Sequence, residues 1–145
     1  MKKILYTLSL MICTMFFMTA YASGGDLSCD IDLAAKELTV TGSTGGETTY
    51  ALLVLNPGYT PEAAAADSNY QGVQVQYEGK SDGTFRVKFP LNTDLIQQSG
   101  VMNVYVLYEG ISSPLHTTAY YASEEEVKTA MNEFIGISDM TNTND

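Results

Sequence analysis

His116 is the only histidine in the chain, so nucleophilic catalysis of the serine or cysteine type would have to use it as its base. It follows Pro114 and Leu115 in a stretch with strand period, and no catalytic role is expected for it. Two cysteines are present. Cys13 lies inside an apolar run, and Cys29 shares the parity of Leu27, Ile31 and Leu33, the pattern of a buried, inert thiol. One histidine and one inward cysteine cannot make a zinc site, which needs several nitrogen or sulfur ligands. Carboxylates are plentiful, but they fall on outward strand positions or in turns, where solvated charge is expected rather than the facing acid and base of a glycosidase. Asp30 and Asp32 share a strand face, yet calcium takes six or more oxygens and no loop has the required D-x-D-x-D-G pattern. Gly42, Gly45 and Gly46 are followed by neither a lysine nor a helix start, so they read as turn glycines rather than a phosphate cradle. Tyr59, Tyr70 and Tyr105 depart from the inward parity and are the candidate glycan contacts, because a tyrosine ring on a face or rim can stack on a sugar. No catalytic residue, cofactor or metal ligand is expected.

The first residues and the charge bound the setting. Lys2 and Lys3 precede the uncharged run Ile4 to Met18, and Ala20 and Ala22 follow at the spacing a signal peptidase reads. The run is shorter than the ~20 residues needed to span a bilayer. Residues 1–22 are therefore expected to be a signal peptide, and the product to be secreted or extracellular, or held at a cell surface. Cys13 and Cys29 are both badly placed for lipid attachment, so no lipid is expected. Cleavage would leave Cys29 alone, without an intrachain disulfide despite export. Removing Lys2 and Lys3 makes the formal charge of −10 more negative by two. Such an excess repels phosphate backbones and anionic headgroups, so neither nucleic acid nor membrane is an expected partner.

The stretch Thr84 to Tyr108 organises the elements that would position these groups. Phe85, Val87 and Phe89 alternate with Thr84, Arg86 and Lys88, a strand with one buried face, and Val101 to Tyr108 is apolar on both faces, as a central strand is. Leu27 to Leu33 alternates as a first strand and Leu38 to Thr41 makes a second, with a hairpin expected from the spacing. Thr48 to Leu55 is a third, central strand stopped by Asn56-Pro57-Gly58. Thr60-Pro61 caps one helical turn over Ala63 to Ala66. Val73 to Tyr77 and the turn from Glu78 to Gly83 predict a second hairpin into Thr84, and Leu115 to Tyr121 is the last strand. About seven antiparallel strands at these spacings make an all-β sandwich over residues 26–122. Leu27, Ile31, Val40, Phe85, Val87, Phe89, Val104 and Val106 are the expected core.

Ser123 and the three glutamates after it open the one substantial helix, expected over residues 123–136 with Gly136 as its C-cap and a flexible tail at 137–145. Val127, Ala130, Met131, Phe134 and Ile135 recur at helical spacing. This stripe must be covered, either by the helix folding back over its own sandwich or by another chain; in the second case Val127, Met131, Phe134 and Ile135 are the candidate interaction surface, for self-association or for an accessory partner.

The ordered set Leu38-Thr39-Val40-Thr41-Gly42, Leu53-Val54-Leu55-Asn56-Pro57-Gly58, Asp82-Gly83-Thr84-Phe85, Tyr108 to Pro114 and Tyr120-Tyr121-Ala122-Ser123 resembles immunoglobulin-like β-sandwich modules of secreted and surface proteins of Gram-positive bacteria. The likeness spans about Asp26 to Phe134. It lacks the disulfide and core tryptophan of antibody domains. What the resemblance implies is a non-catalytic module that mediates contacts with an extracellular or cell-surface protein, or serves surface architecture. The alternative is a module that binds a glycan or cell-wall polymer through its tyrosines.

Overall fold

The computed structural model describes residues 22–23, 26–67 and 71–142, with side chains over 26–67 and 71–136. The chain runs β1 (Ala22–Ser23), β2 (Leu27–Asp32), β3 (Glu37–Ser43), β4 (Thr48–Leu55), α1 (Pro61–Ala66), β5 (Val73–Ser81) and β6 (Thr84–Pro90). A 3-10 turn at Thr93–Leu95 then precedes β7 (Gly100–Tyr108), β8 (Leu115–Tyr121) and α2 (Glu124–Asn142). Strands β1-β8-β7-β4-β5 form one sheet and β2-β3-β6 the other. Every ladder is antiparallel except the short one of β1, which runs parallel to β8 with Ala22 opposite Leu115. Most of the expected signal segment lies outside the described residues, and cleavage after Ala22 would cut between the two residues of β1.

The core lies between the sheets, where the period of two puts alternate side chains. Tyr50, Leu52 and Val54 of β4 oppose Tyr108, Val106 and Val104 of β7, and Leu38 and Val40 face them from β3. Leu52, Val54, Val104, Val106, Leu38 and Val40 have no exposed surface. β4 is central, as expected, with β5 on one side and β7 on the other. Leu27 and Phe85 are buried too, whereas Ile31, Val87 and Phe89 are only half-buried against the core. These three belong to β2 and β6, the two edges of the smaller sheet, where a side chain has a neighbouring strand on one side alone.

Several expectations need correction. β5 and β6 are joined by a tight turn at Asp82 and Gly83, but β5 pairs with β4 and β6 with β3, so the connection arches between sheets instead of closing a hairpin. Gly42 is a residue of β3 rather than of the following turn, and the Phe85 ring lies where its Cβ would project. Gly136 does not end the second helix. A glycine cap needs positive φ, which Gly136 does not adopt, and α2 continues to Asn142 through six residues expected to be flexible tail.

Aromatic rings close the side of the sandwich where β5 arches to β6. Tyr50 stacks on Phe85 with centroids 4.2 Å apart, and Tyr77 meets Phe89 edge-on at 5.2 Å. Gly42 and Gly79 leave the room these rings occupy, so the two glycines are packing residues. Burial, with Tyr77 beside it, pushes the Tyr50 phenol up to about 12.

Candidate functional site

The outer face of the larger sheet has a covered part and a bare part. Leu53, Leu55 and Tyr105 are covered by α1, whose Ala64 is fully buried against them, with Tyr59 and Val73 packed at the margin. Thr60 accepts a hydrogen bond from the Ala63 amide and Pro61 opens the helix, so this turn starts where the sequence indicates. A polar network holds the crossing: the buried Asn56 donates to the Gln71 carbonyl at 2.7 Å and accepts from Gln74 at 2.7 Å. Gln74 in turn exchanges hydrogen bonds with the Asn92 backbone.

His116 sits beside this cover. Its ring stacks on Tyr105 at 4.7 Å, and its Nε2 donates to Asn103 Oδ1 at 2.8 Å. Burial holds the imidazole below its ordinary value of 6.5, which favours the neutral ring. Cys29 faces the core from β2, and its thiol is pushed up to about 12, first by burial and then by the Asp30 charge. A thiol so disposed is a poor nucleophile at neutral pH. Among the described residues, no group of three His, Cys, Asp or Glu side chains could hold a metal ion. Asp30 and Asp32 point outward from β2, and Asp32 accepts from the Ala35 amide in the following turn.

The candidate tyrosines separate in the structure. Tyr105 is only 4 % exposed, with leucines, α1 and the His116 ring around it, so its faces are not open to a sugar. Tyr59 is half-buried with its ring over Gly72. Tyr70 lies outside the described residues. Among the described residues the exposed tyrosines are instead Tyr77, in the middle of β5, and Tyr120 near the end of β8. Period two identifies Tyr120 as outward, because it alternates with the inward Tyr121, and this signal was available in the sequence.

The stripe on α2 is the other candidate surface, and there the four residues do come together. Ser123 caps the helix, its Oγ accepting from the Glu126 amide at 3.2 Å, and its own amide donates to Ser99 Oγ at 2.8 Å. Tyr120 donates to the Glu126 carboxylate at 2.9 Å, which ties the first turn to β8 and holds the phenol above its ordinary value. Beyond that turn the described side chains of the helix are mostly exposed. Val127 is half-buried, but Met131 is 59 % exposed, Phe134 74 % and Ile135 52 %. With Ala122 and Ala130 they line an open groove along the helix. Val101 and Tyr120, opposite each other on β7 and β8, add exposed apolar surface near the base of the helix.

Compared with protein-family models, with curated proteins and with solved structures, the chain gives no match. Among the described residues no helix is long and apolar enough to cross a membrane.

Proposed function

We propose that this chain is an exported, non-catalytic module of immunoglobulin-like build that works through protein contacts at or near a cell surface, with the α2 stripe as its contact surface. The observation that carries the reading is the stripe itself: three large apolar side chains on one helix face, each more than half exposed. An apolar face of this kind on an exported chain marks a surface that is covered in use. The immunoglobulin-like build is supported by strand order. With β2 to β8 taken in turn as A, B, C, C′, E, F and G, the sheets run A-B-E and C′-C-F-G, the arrangement of such sandwiches. Export is supported by the signal-like residues 1–22.

The test is cross-linking and capture with the tagged chain in its own culture, comparing wild type with a Met131→Glu, Phe134→Glu double variant. A species captured by the wild type and lost in the variant supports the reading, and identical capture by both removes the stripe from it. Turnover of an ester, glycoside or peptide substrate, abolished by one Asp or Glu substitution, would overturn the non-catalytic part.

A further inference from the structure

The charges around the α2 groove narrow what covers it. Over the exposed part of the helix, Glu124, Glu125, Glu126 and Glu133 stand against Lys128 alone. The three glutamates of the first turn also answer the helix dipole, but Glu133 lies well beyond that turn and has no such role. Glu126 lines the groove directly, held there by the Tyr120 hydroxyl, and Glu133 falls one heptad after it on the same flank of the stripe. The apolar row is therefore bordered by carboxylate along one side.

We infer that the occupant is an amphipathic helix of a different polypeptide whose apolar face is bordered by lysine or arginine. This deepens the protein-contact reading and rests on it. The stripe repeats as Val127, Ala130, Met131, Phe134, and the small Ala130 sits between larger side chains in the groove lining. That relief suits the side chains of another helix, which seat at the same three- and four-residue spacing. The border decides the sign of the partner. A second copy would bring Glu126 and Glu133 against the same acidic set, within a chain of formal charge −10, and an anionic bilayer would meet the same repulsion. A cationic border meets attraction along the flank that carries Glu126 and Glu133.

The test uses two synthetic helical peptides with the same leucine face, one flanked by lysines and the other by glutamates, titrated against the fluorescently labelled chain without its signal segment. The lysine-flanked peptide is expected to bind saturably, at least about tenfold more tightly than the other, and to weaken as salt rises. Met131→Glu with Phe134→Glu is expected to abolish that binding although it adds negative charge, which separates seating on the stripe from bulk attraction to an acidic protein. Met131→Ala with Phe134→Ala, which keeps good helix formers, should weaken it in the same direction. Equal affinity for the two peptides, or binding that survives in both variants, overturns the inference. So does a dimer in sedimentation that the variants dissolve, or stripe-dependent binding to phosphatidylserine vesicles. A culture partner captured through the stripe but lacking a basic border would sink this inference alone and leave the protein-contact reading standing.

Discussion

Leu52, Val54, Val104 and Val106 at the centre of the sandwich expose no surface, whereas Met131, Phe134 and Ile135 on α2 keep between 52 and 74 % of theirs. Both sets recur at the period of the element that carries them, two for the strands and 3.6 for the helix. The difference lies in what the chain supplies opposite. β4 and β7 face the three-stranded sheet, and the β5 to β6 arch and the β3 to β4 connection carry the chain from one sheet to the other. α2 follows the last strand, and among the described residues its side-chain hydrogen bonds to the sandwich lie at its first turn. Periodicity shows that a face wants cover, and only topology shows whether the same chain provides it.

The comparison is broken most directly in the core. Phe85→Ala removes a buried ring stacked on Tyr50 and lying over Gly42, and it should cost about 3–5 kcal/mol by urea denaturation. An unchanged midpoint would show that the aromatic edge is not part of the core. Gly42→Ala attacks the same contact from the other strand, since its Cβ would project into the Phe85 ring. Overpacking of this kind should cost about 1–3 kcal/mol. In a Phe85→Leu background the cost of Gly42→Ala should shrink, and a cost that stays constant would place the strain elsewhere.

At the root of the helix the effects are smaller. Ser123→Ala removes the acceptor for the Glu126 amide, and the loss should be about 1 kcal/mol of local helix stability, read as reduced ellipticity at the helical band while the sandwich keeps its unfolding midpoint. If sandwich and helix melt together in this variant, α2 is not the separate unit that its exposed stripe describes.

Much of this architecture was legible because strand period, turn residues and caps are local signals. β4 and its stop at Asn56-Pro57-Gly58, and Thr60 before Pro61, stand where the residues indicate. The β5 to β6 connection was not legible, because a short Gly-containing turn serves an arch between sheets as well as a hairpin, and the choice depends on which strands β5 and β6 find as partners. Gly42 was not legible as a packing glycine for a related reason: a glycine that makes room for a ring from another strand looks like a turn glycine when that ring is distant in sequence. Tyr105 departs from the inward parity because the outer sheet face has a second apolar cluster under α1, and parity alone does not distinguish a covered outer face from a bare one. The apolar α2 stripe was legible residue by residue, and its exposure was not.

His116 probes that covered outer face through pH. Its imidazole, held below 6.5 by burial, stays neutral in the fold where the unfolded chain takes a proton. The contribution is therefore fully present above the unfolded value and is lost as pH falls through the folded one, so stability should decline from neutral pH into the mildly acidic range. The His116 ring signals in NMR should titrate with a midpoint under 6.5, and His116→Gln should flatten part of that decline. A midpoint above 6.5 would mean that the imidazolium is favoured and that the Tyr105 side of the sheet is wetter than the packing around α1 indicates.

The smallest effect on stability belongs to the stripe, and it tests the comparison as a whole. Met131→Glu with Phe134→Glu replaces two large apolar side chains, a change that would unfold many proteins if either side chain stood in the core. Both are more than half exposed on α2, so little apolar contact is lost and the new carboxylates stay in water. The remaining cost comes from extra negative charge on an already acidic helix, a few tenths of a kcal/mol for each unfavourable pair, and it falls on the helix rather than the sandwich. The stability of the sandwich should therefore remain within about 0.5 kcal/mol of wild type by thermal unfolding. A loss comparable to that of Phe85→Ala would mean that α2 folds back in solution and uses its stripe as a second core. The contrast between the two apolar surfaces would then disappear, and with it the physical basis for a docking surface on the helix.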